Sequence, residues 1–410
     1  MLRPERRVWL GTNIAMAVSA VLILMLVQWV AQDPIERLST DWTAFDNAAD
    51  RLANGETIYR PVDVETEPLP YLYPPFALWL VLPLGWVSFA GSFAISAAMT
   101  AITVVLGNVL LLKATPTVKG WGRAVMVASL SGATITASLI GQYSGILALA
   151  YGGAAFLWFK KRHFAAGLVL ALLLLKPNFA IAVPVVLIWS RSWRALGGFA
   201  VGSVITLASS IPFGLQQWSD WIANVQDIAR VQAENGVPFD KMITVQGALQ
   251  ELFSLATDSP VLIAFWLANA LVGGIAVLRI WTPAILERSP VLAFSALALF
   301  TVAANVRVYF YDATVIVLGL LGLWVVSQQS ATPQIKRLVA KLLFLGWIVS
   351  FGGTFLVLNL AAGLLATTSL LVLAVISRGE SFVHGSLTLV GDRDDEEVEV
   401  MEPASHVEAA

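Results

Sequence analysis

Of the 410 residues, 58% are hydrophobic and 13% charged, more apolar surface than a soluble domain of this length could bury in one core. A net charge of -2 gives no electrostatic basis for nucleic-acid binding, so nucleic acid is excluded as a partner. The absence of cysteine excludes disulfides, thiolate metal sites and a cysteine nucleophile. What remains is an all-α polytopic membrane protein, because helices satisfy their backbone polar groups internally where no water is present.

The first apolar run, residues 8–30, follows Arg3, Arg6 and Arg7. It is too long for a signal-peptide core and lacks a small-x-small cleavage site, so it reads as a retained first span. Ser39-Thr40 then looks like a helix start, with Asp41 in the first turn. Phe45, Ala48, Ala49 and Leu52 follow at helical spacing and Gly55 closes the element, which would lie on the membrane surface with Trp42 and Phe45 toward lipid or core. The run Tyr71-Leu72-Tyr73-Pro74-Pro75-Phe76 reads as an interfacial aromatic belt with prolines at a helix start. Residues 74–87 are then a re-entrant or interfacial helix, since a full crossing there would reverse every later loop.

Further apolar windows fall at 92–112, 121–140, 145–159, 164–175, 179–190, 196–213, 260–281, 290–304, 313–327, 342–358 and 363–376, making about twelve spans with the first. Short cytoplasmic loops accumulate Lys and Arg. Arg3/Arg6/Arg7, Lys113/Lys119/Arg123, Lys160/Lys161/Arg162, Arg191/Arg194, Arg279/Arg288, Lys336/Arg337/Lys341 and Arg378 therefore mark the cytoplasmic side, where both termini lie. The expected organisation is a multi-pass plasma-membrane domain over 1–378, with extracytoplasmic loops at 31–73 and 214–259. A disordered acidic cytoplasmic tail, 379–410, follows.

The outer face collects Gln142-Tyr143, Lys176-Pro177-Asn178, Asn305 to Asp312, and Asn359. Asp41 is either a first-turn acid favoured by the helix dipole or a general base. Asp46 and Asp50 read as the solvated face of the same helix. Lys176 interrupts an apolar stretch, where a central charge costs about 2.5 to 3.5 kcal/mol, so it either snorkels outward or binds a phosphate. Arg307 either pairs with Asp312 or clamps a phosphate bidentately. Gln142, Tyr143, Asn178, Asn305 and Tyr311 supply neutral groups for hydroxyls. His163 belongs to a cytoplasmic basic cluster, and His384 and His406 to the tail. The outer face thus has no histidine triad or histidine metal site; carboxylates are the available ligands for a divalent ion, and no cofactor is required.

The run from Asp41 through Tyr59, with Tyr73-Pro74-Pro75, Gly141-Gln142-Tyr143, Lys176-Pro177, Gln246-Gly247-Ala248-Leu249 and Tyr311-Asp312, resembles glycosyltransferase family 87 over most of the chain. The resemblance implies a GT-C-like bundle with extracytoplasmic loop helices and an inverting transferase. Its donor would be a polyprenyl-phosphate sugar, mannose or arabinofuranose by preference, and its acceptor an extracytoplasmic glycolipid or cell-envelope glycan. It also implies Asp41 as the catalytic base, with Lys176 and Arg307 toward the donor phosphate. Some members carry a histidine where this chain has Val308-Tyr309-Phe310-Tyr311-Asp312. The competing classes are a lipid or glycan transporter or flippase, and a scaffold that uses the acidic tail.

Overall fold

A computed structural model describes residues 40–60, 70–115, 121–235, 242–256, 259–329, 333–351 and 356–377. The expected span at 8–30 and the acidic tail at 379–410 lie outside the described residues. Within them the chain is helical, and the one strand-like feature is an isolated antiparallel bridge between Met242 and Tyr309.

The elements run in the order α1 (Thr40–Ala53), a broken segment (Pro75–Trp86), α2 (Phe89–Lys113), α3 (Trp121–Ser129), α4 (Gly132–Leu139) and α5 (Ser144–Phe159). They continue with α6 (His163–Leu175), α7 (Pro177–Trp189), α8 (Trp193–Ala208), α9 (Gln216–Asn235), α10 (Val245–Phe253) and α11 (Pro260–Ile280). The last five are α12 (Pro283–Arg288), α13 (Pro290–Ala304), α14 (Ala313–Gln329), α15 (Pro333–Val349) and α16 (Leu356–Ile376).

Three helices among the described residues are long and apolar enough to cross a membrane: α2, the stretch Trp193–Phe213 that contains α8, and α11. Seven further apolar helical stretches among the described residues, from Pro75–Trp86 to Leu360–Ile376, have 10–17 residues. At 1.5 Å per residue they rise about 15 to 26 Å, short of a hydrocarbon core of about 30 Å. The described residues therefore form a helical bundle in which three helices have full spanning length and most of the other apolar windows are shorter. The causes are local. The window at 121–140 breaks at Leu130-Ser131 into α3 and α4, and the segment at 74–87 is two 3-10 stretches around one α turn, with Pro83 in the second. Lys336, Arg337 and Lys341, expected in a loop, stand inside α15, which Pro333 starts from its first position. Asn359 likewise lies inside α16 rather than in an outer turn.

α13 forms the centre. Nearly all of its residues are buried, as expected of a helix that is apolar all round. α8 and α11 do the opposite: Val204, Ile205, Val261 and Leu271 are each at least 60% exposed, an apolar exterior suited to lipid. Helices approach closely through glycine. A Cβ on Gly107 of α2 would sit 2.5 Å from the Ala148 carbonyl oxygen of α5, and one on Gly152 would land on the Gly107 carbonyl. Where lipid gives no hydrophobic drive between helices, this backbone approach is what joins them. We expect Gly152→Ala to cost about 1 to 3 kcal/mol by overpacking. The readout is the melting temperature of the detergent-purified protein; an unchanged value would mean that α2 and α5 do not touch here.

Candidate active site

α1 forms because Trp42, Phe45, Ala48 and Ala49 recur on one face, and all four are at most 2% exposed. That face meets protein, not lipid. Phe45 packs on Trp42, Tyr71, Tyr73 and Tyr143 with ring centroids 5.0 to 5.5 Å apart. The chain passes beneath at Gly141, whose φ of +79° favours glycine and whose Cβ would stand 2.6 Å from that of Trp42. The Trp42 indole donates to Ser92 Oγ at 2.9 Å, and Ser92 donates to Asp46 at 3.0 Å. Asp46 is thus tied into the packing of α1 rather than simply solvated.

This packing sets Asp41 at the first turn of α1, facing the α4–α5 turn. Gln142 Nε2 donates to Asp41 Oδ2 at 2.6 Å, and Gln142 Oε1 accepts from the Tyr73 hydroxyl at 2.7 Å. The backbone carbonyl of Gln142 accepts from Thr100 on α2 at 2.6 Å, so main chain and side chain are both held. Tyr73 sits before two prolines that keep the backbone extended. Burial first, then the carboxylates of Asp312 and Asp41, push its phenol well above the ordinary tyrosine range, so it remains a proton donor.

Lys176 lies at the break between α6 and α7, where Pro177 opens α7. It does not snorkel: the side chains of Lys176 and Asp312 are 14% and 4% exposed and their charged atoms are 2.6 Å apart. Ser144, first residue of α5, donates to the same Asp312 oxygen at 2.6 Å. The Lys176 ammonium also stands 4.6 Å from the centroid of the Tyr311 ring and 5.9 Å from that of Tyr73. Removing one partner of such a buried pair typically costs about 3 to 5 kcal/mol, so the pair holds the α6–α7 break to the start of α14.

Arg307 is exposed on a loop clamped from two sides. Ile243 N–H donates to Val308 O at 2.8 Å and Thr244 Oγ1 to Val306 O at 3.1 Å, joining it to the second long loop. Asn178 Nδ2 donates to Arg307 O at 3.3 Å, and Asn305 Nδ2 to Asn178 O at 3.2 Å. Asn178 and Asn305 thus hold backbone. Tyr143 is 1% exposed and forms the floor beneath Gln142. Tyr311 stacks on Tyr309 at 5.5 Å, and its phenol is raised by burial, Asp41 and Asp312.

Asp41, Gln142, Lys176 and Tyr311, far apart in sequence, are therefore joined through Tyr73 and Asp312, neither of which was expected in the site. The sequence places Tyr73 in an interfacial belt, although its two following prolines already announce a fixed backbone. By sequence Asp312 is a candidate partner of Arg307; its signal is that a carboxylate opening an apolar helix needs a partner. Gln246 is 3% exposed, and both polar atoms of its amide find no partner among the described residues. No group of three or more metal-binding side chains occurs among the described residues.

Residues 71–304, which include Tyr73, Gln142, Ser144 and Lys176, match the model of glycosyltransferase family 87. The chain belongs to this family. The glycosyltransferase is also 29% identical over 168 residues to GPI mannosyltransferase 1 of Aspergillus fumigatus, covering 40% of this chain and 37% of the fungal protein. It thus spans little more than a third of that relative's length. No solved structure matches the chain.

The setting of Asp46 in this transferase gives a test by pH. Burial raises its carboxyl above the ordinary aspartate value of 3.8, the Ser92 hydrogen bond offsets part of this, and Asp50 adds to it. The folded state then holds the proton more tightly than the unfolded chain. Stability falls as pH rises from the unfolded value through the raised folded one, and the deficit is absent below 3.8. Asp46→Asn, which keeps an acceptor for Ser92, should raise the melting temperature at neutral pH, the gain shrinking as the pH falls toward 3.8. A difference independent of pH would contradict the assignment.

Proposed function

We propose that this family 87 enzyme is an inverting transferase that moves a sugar, mannose or arabinofuranose by preference, from a polyprenyl phosphate to an extracytoplasmic glycolipid or cell-envelope glycan. The observation that carries the reading is the Asp41 carboxylate, fixed by Gln142 in a cluster that also gathers Lys176 and the Arg307 loop. Asp41 takes the proton of the acceptor hydroxyl as its oxygen attacks the anomeric carbon. The bond from that carbon to the phosphate oxygen breaks on the opposite face, and the phosphate leaves with the bonding pair. It needs cationic and hydrogen-bonding stabilisation rather than a strong acid. Gln142, Asn178 and Tyr311 border this centre and Tyr143 supports it.

The name of the fungal relative supports mannose. The outer placement of the site is supported by the helix ends. α5 begins beside Gln142 and ends before Lys160, and α7 begins after Lys176 and ends before Arg191, so these basic clusters lie at the opposite ends from the site.

The test is reconstitution with radiolabelled polyprenyl-phosphate mannose and polyprenyl-phosphate arabinofuranose. Asp41→Asn should lower kcat by about 10²- to 10⁴-fold with little change in donor KM, the size expected for losing a general base. Undiminished transfer would remove Asp41 from the chemistry. Gln142→Leu, which keeps the base and loses its holder, should lower kcat by about 100-fold, as misplacement of a reacting group does.

A further inference from the structure

We propose that α9 is a membrane-surface helix: Leu215, Ile222 and Val225 form an apolar arc seated on the phospholipid where α8 ends, while another face of the helix holds the strap that leads to Tyr73. This surface lies outside the Asp41 cluster, and its partner is the same whichever sugar or acceptor the enzyme uses.

The sequence of α9 builds three faces rather than two. At about 3.6 residues per turn, Gln217, Trp221, Asn224 and Ile228 share one face. That face lies against the protein: Trp221 Nε1 donates to Leu72 O at 2.9 Å, and Nδ2 of the buried Asn224 donates to Tyr71 O at 3.1 Å. A second face carries Gln216, Ser219, Gln226 and Arg230, all exposed. Its polar groups pair along the helix, Gln216 with Asp220 at 2.9 Å and Arg230 with Asp227 at 2.6 Å, as on a surface in water. Between these two faces stand Ile222, Val225 and, just before the helix, Leu215, which are 42 to 73% exposed. A helix resting on a protein in water needs one buried face and one polar face. A third, apolar and uncovered, calls for an apolar neighbour.

The chain before α9 identifies that neighbour. The stretch Trp193–Phe213, long and apolar enough to cross a membrane, exposes Val204, Ile205 and Ile211 and ends directly before Gly214. Gly214, with a φ of +91°, turns the chain there. Trp218 Nε1 donates back to Ser210 Oγ at 2.8 Å, which ties the first turn of α9 to the end of that stretch. The apolar arc thus continues the lipid-facing exterior of α8 at the level where α8 would leave the hydrocarbon. Trp79 marks the same level: its half-exposed indole donates to Ser209 O at 2.7 Å and packs on Phe213 at 4.9 Å, an arrangement suited to the headgroup region. Three aliphatic side chains offer far less than the roughly 800 Å² per partner of a stable protein interface, whereas a lipid surface takes an apolar arc of any size.

The seat bears on the site. Tyr71 and Leu72, whose carbonyls α9 holds, directly precede Tyr73, whose hydroxyl fixes Gln142 and with it Asp41. α9 is an arm between the bilayer surface and the strap that aims the base.

The chain has no cysteine, so single cysteines can be introduced without removing any. Ile222→Cys, Val225→Cys, Ser219→Cys and Gln226→Cys, each in the full chain, are labelled with a bimane fluorophore. All four positions are exposed, so the labels leave the contacts of Trp218, Trp221 and Asn224 in place. The proteins are placed in nanodiscs of phosphatidylcholine and phosphatidylglycerol with plain or brominated acyl chains. Labels at positions 222 and 225 should lose most of their emission to the brominated lipid and resist iodide in the water. Labels at 219 and 226 should do the reverse. Iodide quenching all four alike would put α9 in water and overturn the proposal. Brominated lipid quenching all four alike would abolish the distinction between the faces and overturn it too. Positions 222 and 225 answering to neither quencher would show a second copy or another protein segment on the arc, and would overturn it as well.

Discussion

The ion pair between Lys176 and Asp312 is the constraint on which the rest of the site is arranged. An ammonium and a carboxylate taken out of water are stable only when they meet each other and when hydrogen bonds satisfy what is left. Here the carboxylate opens α14, the ammonium sits at the break between α6 and α7, and Ser144 brings in the start of α5. Three helix ends that share no sequence proximity are thereby held at one level of the bundle. The rings of Tyr73 and Tyr311 close over the ammonium, and from Tyr73 the hydrogen bonds continue through Gln142 to Asp41.

Around that constraint the bundle divides its labour. α13 is buried on all sides and gives the interior its volume, while α8 and α11 turn apolar side chains outward. Glycines at 107 and 152 let α2 and α5 approach backbone to backbone, and this fixes the turn that carries Gln142. The short helices follow from the same economy. A helix that ends below the membrane surface leaves unpaired backbone groups, and these are tolerated where the chain lines a protein-enclosed site rather than facing lipid. At the α6–α7 break a charged side chain stands against Asp312 inside the protein.

The aromatic nest under α1 links stability to the site. Trp42, Phe45, Tyr71, Tyr73 and Tyr143 pack as one cluster, so the helix that presents Asp41 rests on the residues that orient its partners. Asp41 thus stands on the packed side of the cluster. On the other side, the Arg307 loop hangs from backbone hydrogen bonds to the second long loop.

Much of this was legible in the sequence. Helical spacing of Trp42, Phe45, Ala48 and Ala49 announced α1 and placed Asp41 in its first turn, because amphipathic periodicity is a local property of the chain. Apolar windows announced α2, α5, α11 and α13 for the same reason. The motifs at 73–75, 141–143 and 176–177 pointed to the family that residues 71–304 match. Side-chain pairing was not legible, because it depends on which helix ends meet. From sequence, Lys176 could snorkel or bind phosphate, Asp312 could belong to Arg307, and Tyr73 could be a membrane anchor. Only the tertiary structure brought Lys176 onto Asp312 and Tyr73 onto Gln142, since a buried charge is settled by its nearest opposite charge in space, and that distance is fixed by packing rather than by order along the chain.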